Sequence, residues 1–272
     1  MKIAITGASG FVGSALREKY DDVVEIHRND SSEEILQKLQ GVEVVINLAG
    51  APIIKKWSEA YKKVLLSSRV DTTRTLVEAI NKSDVKQFIS ASAVGAYPDG
   101  MACDESFEGY GGDFLAHVTR LWEGEALKCT KPTAVLRFGV VLGKNGGALS
   151  QMLPPFKLGL GGIIGDGKMM TSWIDIEDLV RMYKYIIEKK LTGTYNAVAP
   201  NPVSNYVFTK ALGKALGRPT IFPLPVFVLK LLFGEGSSVL TGSKEVYPKA
   251  ILEKGFSFKY PDIQSSLKRI VG

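Results

Sequence analysis

Three glycines near the start of the chain, Gly7, Gly10 and Gly13, follow a short apolar run and precede a helical pattern. At this spacing the first glycine permits a tight turn and the second lets a ligand approach the backbone. The third lets a helix pack closely on a strand. Because the free N–H groups at the start of such a helix attract phosphate, the run Thr6–Gly13 predicts a site for the phosphates of a dinucleotide. The alternative is an ordinary strand–helix turn.

The composition is that of a globular protein and excludes several other classes. The 272 residues are 45% hydrophobic and 23% charged, which suits one large domain or a domain with a smaller lobe. The net charge of +6 comes from scattered basic residues, and this favours a solvated surface or an anionic ligand over a nucleic-acid partner. Two cysteines and two histidines provide neither a disulfide scaffold nor a metal site.

We expect a cytoplasmic protein without a membrane partner. The first predicted strand begins at residue 2, which leaves no room for a targeting peptide. The most apolar run, Ile221–Phe233, is too short to span a bilayer and contains two prolines and a lysine.

Apolar runs rich in Val and Ile alternate with helical patterns as far as residue 198. Apolar and polar residues do not alternate regularly along these runs, which is typical of strands buried on both faces of a parallel sheet. The strand–helix order therefore predicts an α/β fold with a Rossmann-like, doubly wound parallel sheet. The predicted strands are Lys2–Thr6, Val23–His27, Val44–Asn47, Gln87–Ser92, Thr133–Val141, Thr171–Ile174 and Thr194–Val198, and the main predicted helices are Trp57–Asn81, Phe114–Lys128 and Ile176–Lys189.

Two further features of the chain bear on its organisation. Only fifteen residues separate Arg28 from Val44, so we expect either the sheet edge or the helix beside it to be trimmed there. Prolines and glycines break the pattern later in the chain, which predicts a dinucleotide-binding domain over 1–198 and a smaller C-terminal substrate lobe over 199–272, to which 143–170 contribute.

Ligands of such sheets bind at the carboxyl ends of the strands. That rule places Gly7–Gly13, Arg28, Asn47–Ala51 and Ser90–Tyr97 along one rim.

Motifs along the whole chain resemble one family. They are TGASGFVG (6–13), NLAGAPI (47–53), SRVDTT (68–73), SASAVGAY (90–97), WEGEA (122–126), RFGVVLG (137–143), SWIDIEDL (172–179) and TYNAVAPNPVS (194–204). They resemble the extended and atypical short-chain dehydrogenase/reductases, and within them the nucleoside-diphosphate-sugar epimerase-like, or "cell division inhibitor SulA-like", group. The helix over 113–123 and the tail from residue 222 resemble that group in particular, the tail being similar to its own C-terminal domain.

The resemblance implies a nicotinamide dinucleotide as cofactor, with NADP favoured over NAD. The residues it implies as contacts are Gly7, Ser9, Gly10, Phe11, Val12, Gly13, Arg28, Leu48, Ala49, Gly50, Arg69 and Ser90. Arg28 takes the place at the end of the second strand where a guanidinium binds the 2′-phosphate of NADP. NAD is the alternative cofactor, because Asp30 lies near the place where NAD enzymes have an acidic residue that binds the ribose hydroxyls. Arg69 fits a cofactor contact or a surface ion pair equally well.

Chemistry in the resembled family depends on a tyrosine, a lysine four residues later and a serine or threonine on the fourth strand. The lysine ammonium favours the phenolate form of the tyrosine. Ser92 matches the serine position, whereas Leu115 and Thr119 stand in the places of the tyrosine and the lysine. Tyr97 is a substitute phenol, with a packing aromatic as the alternative. Ser92 and Tyr97 are therefore the candidate catalytic residues.

Three functions fit these residues. The first is an NADP-dependent oxidoreductase or nucleotide-sugar epimerase-like enzyme that acts on a small polar substrate by hydride transfer. The second is a catalytically weak NADP(H)-binding regulator or sensor, which the missing Tyr–Lys pair favours. The third is a protein that binds another nucleotide through the same glycine turn. A homodimer is expected by analogy with the fold alone.

Overall fold

The computed structural model of the protein describes residues 1–272 and is built around a six-stranded parallel sheet. The strands are β1 (Ile3–Thr6), β2 (Val23–Ile26), β3 (Val44–Asn47), β4 (Gln87–Ala93), β5 (Ala102–Cys103), β6 (Thr133–Phe138), β7 (Val140–Leu142), β8 (Gly162–Ile164), β9 (Met170–Thr171), β10 (Trp173–Asp175), β11 (Gly193–Ala197), β12 (Val203–Ser204), β13 (Phe222–Leu224) and β14 (Glu245–Val246). The central sheet has the order β11–β6–β4–β3–β1–β2. The predicted α/β fold with a Rossmann-like sheet is confirmed.

Twelve α-helices accompany the strands. They are α1 (Phe11–Arg17), α2 (Ser32–Lys38), α3 (Glu59–Ser67), α4 (Val70–Asn81), α5 (Phe114–Ala126), α6 (Gly147–Lys157), α7 (Ile176–Glu188), α8 (Asn205–Leu216), α9 (Val226–Phe233), α10 (Ser238–Thr241), α11 (Lys249–Glu253) and α12 (Ile263–Val271). None of these helices is both long enough and apolar enough to cross a membrane.

Side chains of the central strands alternate between two apolar layers. Ile3 and Ile5 of β1 belong to the cluster that includes Leu16 of α1 and Leu179 of α7. Ala4, between them, belongs to the cluster formed with α2, α4 and α5. Both faces of the sheet are therefore covered by helices, which is why its strands read as continuous apolar runs.

The strand order reverses next to β1. β2 forms the sheet edge and pairs only with β1. The chain then returns through α2 to β3, which pairs with the other side of β1. No strand lies beyond β2, and the helix that follows it, α2, has only seven residues, so both the edge and the helix beside it are short. Ligands of doubly wound sheets bind in the crevice at such a reversal.

The predicted helix Trp57–Asn81 is divided into α3 and α4. The division falls at Ser68 and Arg69, which turn toward the loop after β3. The Ala51 N–H donates to Ser68 Oγ at 3.0 Å, and Arg69 Nη2 donates to the Ala51 carbonyl at 3.0 Å. These tertiary hydrogen bonds break a helical pattern that is continuous in the sequence.

The predicted strand Thr133–Val141 is also interrupted. β6 ends at Phe138 in the central sheet, whereas β7 pairs with β10 in a separate two-stranded sheet. Gly139 connects them where a Cβ would lie 2.8 Å from Val198 Cγ1. Close packing at this glycine therefore separates the two strands.

The C-terminal part of the chain packs in two places. A third apolar cluster joins α6, α8 and α12 through Leu149, Phe208 and Leu267. Ile251 of α11 and Phe256 belong instead to the cluster on the central sheet that includes β1. The division of the chain into domains at residue 198 stays a prediction.

Candidate functional site

The turn between β1 and α1 requires glycine at two positions. Gly7 has a φ of +67°, and a Cβ there would lie 2.9 Å from the Leu48 carbonyl oxygen. At Gly13 a Cβ would clash with the Gly7 carbonyl oxygen and would lie 2.8 Å from Ala8 Cα. No side chain caps α1, so the N–H groups of its first turn are free to bind an anion.

Thr6 fixes the segment after β3 to the end of β1. Its hydroxyl donates to Asn47 Oδ1 at 2.7 Å and accepts from the N–H groups of Leu48 and Ala49 at 3.0 and 3.1 Å. Asn47 Nδ2 donates to Ser90 Oγ at 3.3 Å. Ser90, which the resemblance implies as a cofactor contact, is 1% exposed. Its side chain holds Asn47 in place and does not line the cleft.

Two adjoining cavities, together called the cleft, open at the carboxyl ends of β1, β2 and β3. The first has a volume of about 250 Å³, and its lining includes Gly7, Ser9, Arg28, Ala49 and Gly50. The second has a volume of about 220 Å³, and its lining includes Arg28, Asp30, Asp71, Thr72 and Thr75. The structure thus brings five predicted contacts together, with Arg28 bordering both cavities. The three α4 residues Asp71, Thr72 and Thr75 are not among the predicted contacts.

Arg28 and Asp30 both follow β2 but are engaged differently. Arg28 is exposed, with neither a hydrogen bond nor an acidic partner. Asp30 accepts from the His27 N–H at 2.7 Å and pairs with Lys38 at 2.5 Å. Burial alone would raise the pKa of Asp30, but the hydrogen bonds from Lys38 and His27 outweigh it and lower the pKa. The acid at this edge is already neutralised, and the Arg28 charge is left facing the cleft.

Acid should weaken the fold in part through Asp30. Because its pKa in the folded chain is lower than its ordinary value of 3.8, its stabilising contribution is complete above that value and is lost as the pH falls below it. We therefore expect Asp30→Asn to flatten the decline in the free energy of unfolding between about pH 4 and pH 2. Urea unfolding across this range measures the decline. A variant curve as steep as that of the unsubstituted protein would contradict this ion pair.

Arg69 is a partly buried cation without an acidic partner at the junction of α3 and α4. Its guanidinium donates to the carbonyls of Leu65 and Ala51 at 3.2 and 3.0 Å and lies 5.4 Å from the centre of the Trp122 ring. Burial lowers the pKa of Arg69 to about 10, so the side chain keeps its charge at neutral pH. A Cβ at Gly50 would lie 3.1 Å from Arg69 Cζ. The unpaired charge therefore adjoins the backbone that lines the cleft.

Phe11 and Val12, two further predicted contacts, direct their side chains elsewhere. The Phe11 ring packs against the glycine-rich loop before α6, where a Cβ at Gly143 would lie 2.6 Å from Phe11 Cζ. Val12 packs against the apolar cluster on the sheet. What remains for a ligand at these two positions is the backbone of the first turn of α1.

Ser92 belongs to a buried polar network at the end of β4. Ser92 Oγ donates to Glu123 Oε1 at 2.5 Å, and Arg137 donates to both oxygens of Glu123 at 2.8 Å. The Tyr110 hydroxyl donates to Glu123 Oε2 at 2.7 Å. Four donors thus engage the Glu123 carboxylate, and the hydroxyl proton of Ser92 is committed to it.

Tyr97 is enclosed on the other side of Arg137. It is 0% exposed, its hydroxyl donates to Asn196 Oδ1 at 2.9 Å, and its ring centre lies 4.8 Å from Arg137 Cζ. Burial raises the pKa of the Tyr97 phenol against an opposing effect of Arg137. In this arrangement neither Tyr97 nor Ser92 lines the cleft, and their catalytic role stays a prediction.

Glu123 and Arg137 are not among the predicted site residues. They are only 3% and 7% exposed. One signal is present in the sequence, because Arg137 interrupts an apolar strand and charged residues are rarely buried unless they are paired. The sequence does not identify Glu123 as the partner of Arg137, because the pairing depends on how α5 packs across β4 and β6.

Comparison with known proteins adds a family context. A sequence profile of the NAD dependent epimerase/dehydratase family matches residues 3–198, and that of a domain of unknown function (DUF1731) matches residues 224–270. The chain is 37% identical to the Arabidopsis thaliana epimerase family protein SDR39U1 homolog, chloroplastic, over all of this chain and 87% of that protein. It is 34% identical to the Bacillus subtilis epimerase family protein YfhF, over all of this chain and 98% of that protein. A crystal structure of human epimerase family protein SDR39U1 (isoform2) with NADPH is similar at a TM-score of 0.93 and 32% identity, over all of this chain and 99% of that one.

Proposed function

The chain belongs to the NAD dependent epimerase/dehydratase family, and from this premise we propose that it binds NADP(H) in the cleft. The observation that carries the proposal is the unpaired Arg28 guanidinium beside an Asp30 that Lys38 already neutralises. A guanidinium suits a 2′-phosphate by its permanent charge and its bidentate geometry. The structure of the human relative with NADPH supports the same choice.

Other groups around the cleft suit the remaining parts of this cofactor. The uncapped first turn of α1, approached through Gly7, offers backbone N–H groups to a pyrophosphate. Arg69 adds a desolvated positive charge behind Gly50. Thr72 and Thr75 of α4 line the second cavity, and their hydroxyl groups suit the polar edge of an adenosine. The residues present therefore fit an anionic dinucleotide.

We further propose an oxidoreductase or nucleotide-sugar epimerase-like enzyme for a small polar substrate. NADP(H), when bound, supplies hydride transfer, and the residues of the chain bind and orient it. By the resemblance, Leu115 and Thr119 replace the usual Tyr–Lys pair, so no lysine-activated phenol is present. General acid–base catalysis typically contributes about 10²–10⁴-fold, and we expect turnover to be slow by that margin. The substrate class and the cytoplasmic location stay predictions.

A regulator or sensor that binds NADP(H) with little turnover is the second candidate. The observation that favours it is the engagement of Ser92 by Glu123 together with the full burial of Tyr97. Oxidation of NADPH with a panel of aldehydes and ketones detects an oxidoreductase, and interconversion of nucleotide-sugar epimers, which leaves the cofactor unchanged overall, detects an epimerase. Turnover in either assay that Ser92→Ala abolishes would support the enzyme, and the absence of turnover in both would support the regulator.

Replacement of Arg28 tests the cofactor proposal. Arg28→Ala should weaken NADPH binding by roughly 10- to 100-fold, because a hydrogen bond to a charged group contributes about 1.5–3 kcal/mol. NADH lacks the 2′-phosphate, so its binding should change little. Calorimetric titration with both cofactors measures the two affinities. Arg120→Ala, at an exposed arginine of α5, is the control and should alter neither. Equal losses for NADPH and NADH would contradict the role of Arg28.

A further inference from the structure

An exposed apolar surface lies on the part of the molecule formed by α6, α8, α9 and the β8–β13 pair. Six of its side chains are between 58% and 77% exposed: Leu158, Leu160, Ile221, Phe227, Leu231 and Leu232. None of them lines the cleft. Nine of the fifteen exposed large apolar side chains of the chain fall between Leu158 and Leu232. Exposed apolar side chains are ordinarily scattered singly, so this concentration marks a candidate interaction site.

The segments that carry these side chains are in contact and form one surface. β13 pairs in parallel with β8, which sets Phe222 opposite Gly162. A Cβ at Gly159 would lie 3.7 Å from Pro219 Cγ, so the loop with Leu158 and Leu160 adjoins the start of β13. α9 begins two residues after β13 ends and buries only Leu229. A Cβ at Gly165, after β8, would lie 3.1 Å from Val226 Cγ2, so the start of α9 adjoins the other end of the β8–β13 pair.

The same part of the molecule carries the net charge of the chain. Residues 143–165 and 205–234 contain no Asp or Glu, and their six cations equal the net charge of +6, so the rest of the chain is balanced. Those cations are Lys144, Lys157, Lys210, Lys214, Arg218 and Lys230. All six are exposed, and none forms an ion pair. Lys157 directly precedes Leu158 in the chain, and Lys230 lies three residues after Phe227 on α9, which makes the two neighbours on the surface of that helix.

We propose that this surface docks onto a lipid bilayer that contains anionic headgroups, in place of the expectation from the sequence that the protein has no membrane partner. Apolar side chains that enter the headgroup boundary, surrounded by lysines that pair with anionic lipids, are the combination that holds a protein on a membrane surface. A second copy of the chain is disfavoured, because a symmetric contact would set this cationic surface against itself. Nucleic acid would engage the cations but would leave the apolar side chains in water.

Cosedimentation of the full-length protein with vesicles tests the proposal. We expect binding to vesicles of equal parts phosphatidylcholine and phosphatidylglycerol, and binding at least about tenfold weaker to pure phosphatidylcholine. The double variant Phe227→Ser/Leu231→Ser should weaken binding to the mixed vesicles at least roughly a hundredfold. Its matched control is Leu127→Ser/Leu252→Ser, at side chains 60% and 43% exposed outside this surface, which should bind unchanged.

Substitution of the cations provides a second, independent arm. Lys157→Gln/Lys230→Gln should weaken binding to the mixed vesicles by roughly fivefold for each cation removed. Lys82→Gln/Lys86→Gln, at exposed lysines outside the segments of this surface, is the control and should have no effect. Unchanged melting temperatures show that each variant is folded.

Several results would overturn the proposal. One is the absence of cosedimentation with the mixed vesicles. Another is a loss of binding in the control variants as large as in the surface variants. Sedimentation velocity that shows a dimer disrupted by Phe227→Ser/Leu231→Ser, without vesicle binding, would assign the surface to a second copy. Tighter binding to a short DNA duplex than to the mixed vesicles would assign it to nucleic acid.

Discussion

Glu123→Gln is expected to lower the free energy of unfolding by about 3–5 kcal/mol. Glu123 is 3% exposed, and its carboxylate accepts two hydrogen bonds of 2.8 Å from Arg137. The amide would leave Arg137 as a buried cation without its counter-charge. It would also place N–H donors where Ser92 and Tyr110 already donate. Equilibrium urea unfolding of the substituted and unsubstituted proteins measures the difference.

The matched control for this substitution is Glu188→Gln on α7. The Glu188 side chain is 58% exposed and lies 3.7 Å from Lys184. Exposed pairs of this kind contribute about 0–1 kcal/mol, so the control should unfold close to the unsubstituted protein. Similar losses of unfolding free energy in both variants would contradict a larger stabilising contribution from the buried Glu123–Arg137 pair.

Gly13→Ala is expected to abolish measurable NADPH binding and to destabilise the fold by about 1–3 kcal/mol. The added Cβ would clash with the Gly7 carbonyl oxygen and would lie 2.8 Å from Ala8 Cα. Both neighbours are backbone atoms, which cannot rotate aside as a side chain does. α1 must therefore shift away from the turn, and its first-turn N–H groups shift with it. Calorimetry with NADPH and urea unfolding measure the two effects.

Gly124→Ala is the control for this glycine. Gly124 lies within α5, and a Cβ there would meet nothing within 4 Å. Alanine in a helix interior is more favourable than glycine by about 0.5–1 kcal/mol, so this variant should unfold less readily and bind NADPH normally. Undiminished NADPH binding by Gly13→Ala would contradict the assignment of the β1–α1 turn to the phosphates.

The fold is predictable from the sequence where burial leaves few alternatives. β3 is a short run of Val and Ile that ends in Asn47, and such a run is stable only between two apolar layers. The glycines of the first turn are equally informative, because their spacing meets steric conditions that the structure contains at Gly7 and Gly13. The position of Arg28 at the cleft is predictable in the same way, because the end of β2 lies beside that turn.

The candidate catalytic residues show where prediction from sequence stops. Ser92 lies 31 residues before Glu123, and Tyr97 lies 99 residues before Asn196, yet each pair forms a hydrogen bond. Motif spacing identifies residues at the rim but not the partner that each hydroxyl finds when α5, β6 and β11 pack together. The break at Arg69 has the same origin, because it depends on the backbone of Ala51 rather than on helix propensity.

The position of the 2′-phosphate of NADPH in a crystal structure of the complex decides the cofactor assignment. We expect the Arg28 guanidinium within hydrogen-bond distance of that phosphate and the pyrophosphate at the N–H groups that follow Gly10. A 2′-phosphate held by other side chains, with Arg28 directed into solvent, would contradict the assignment, as would an empty cleft at saturating NADPH.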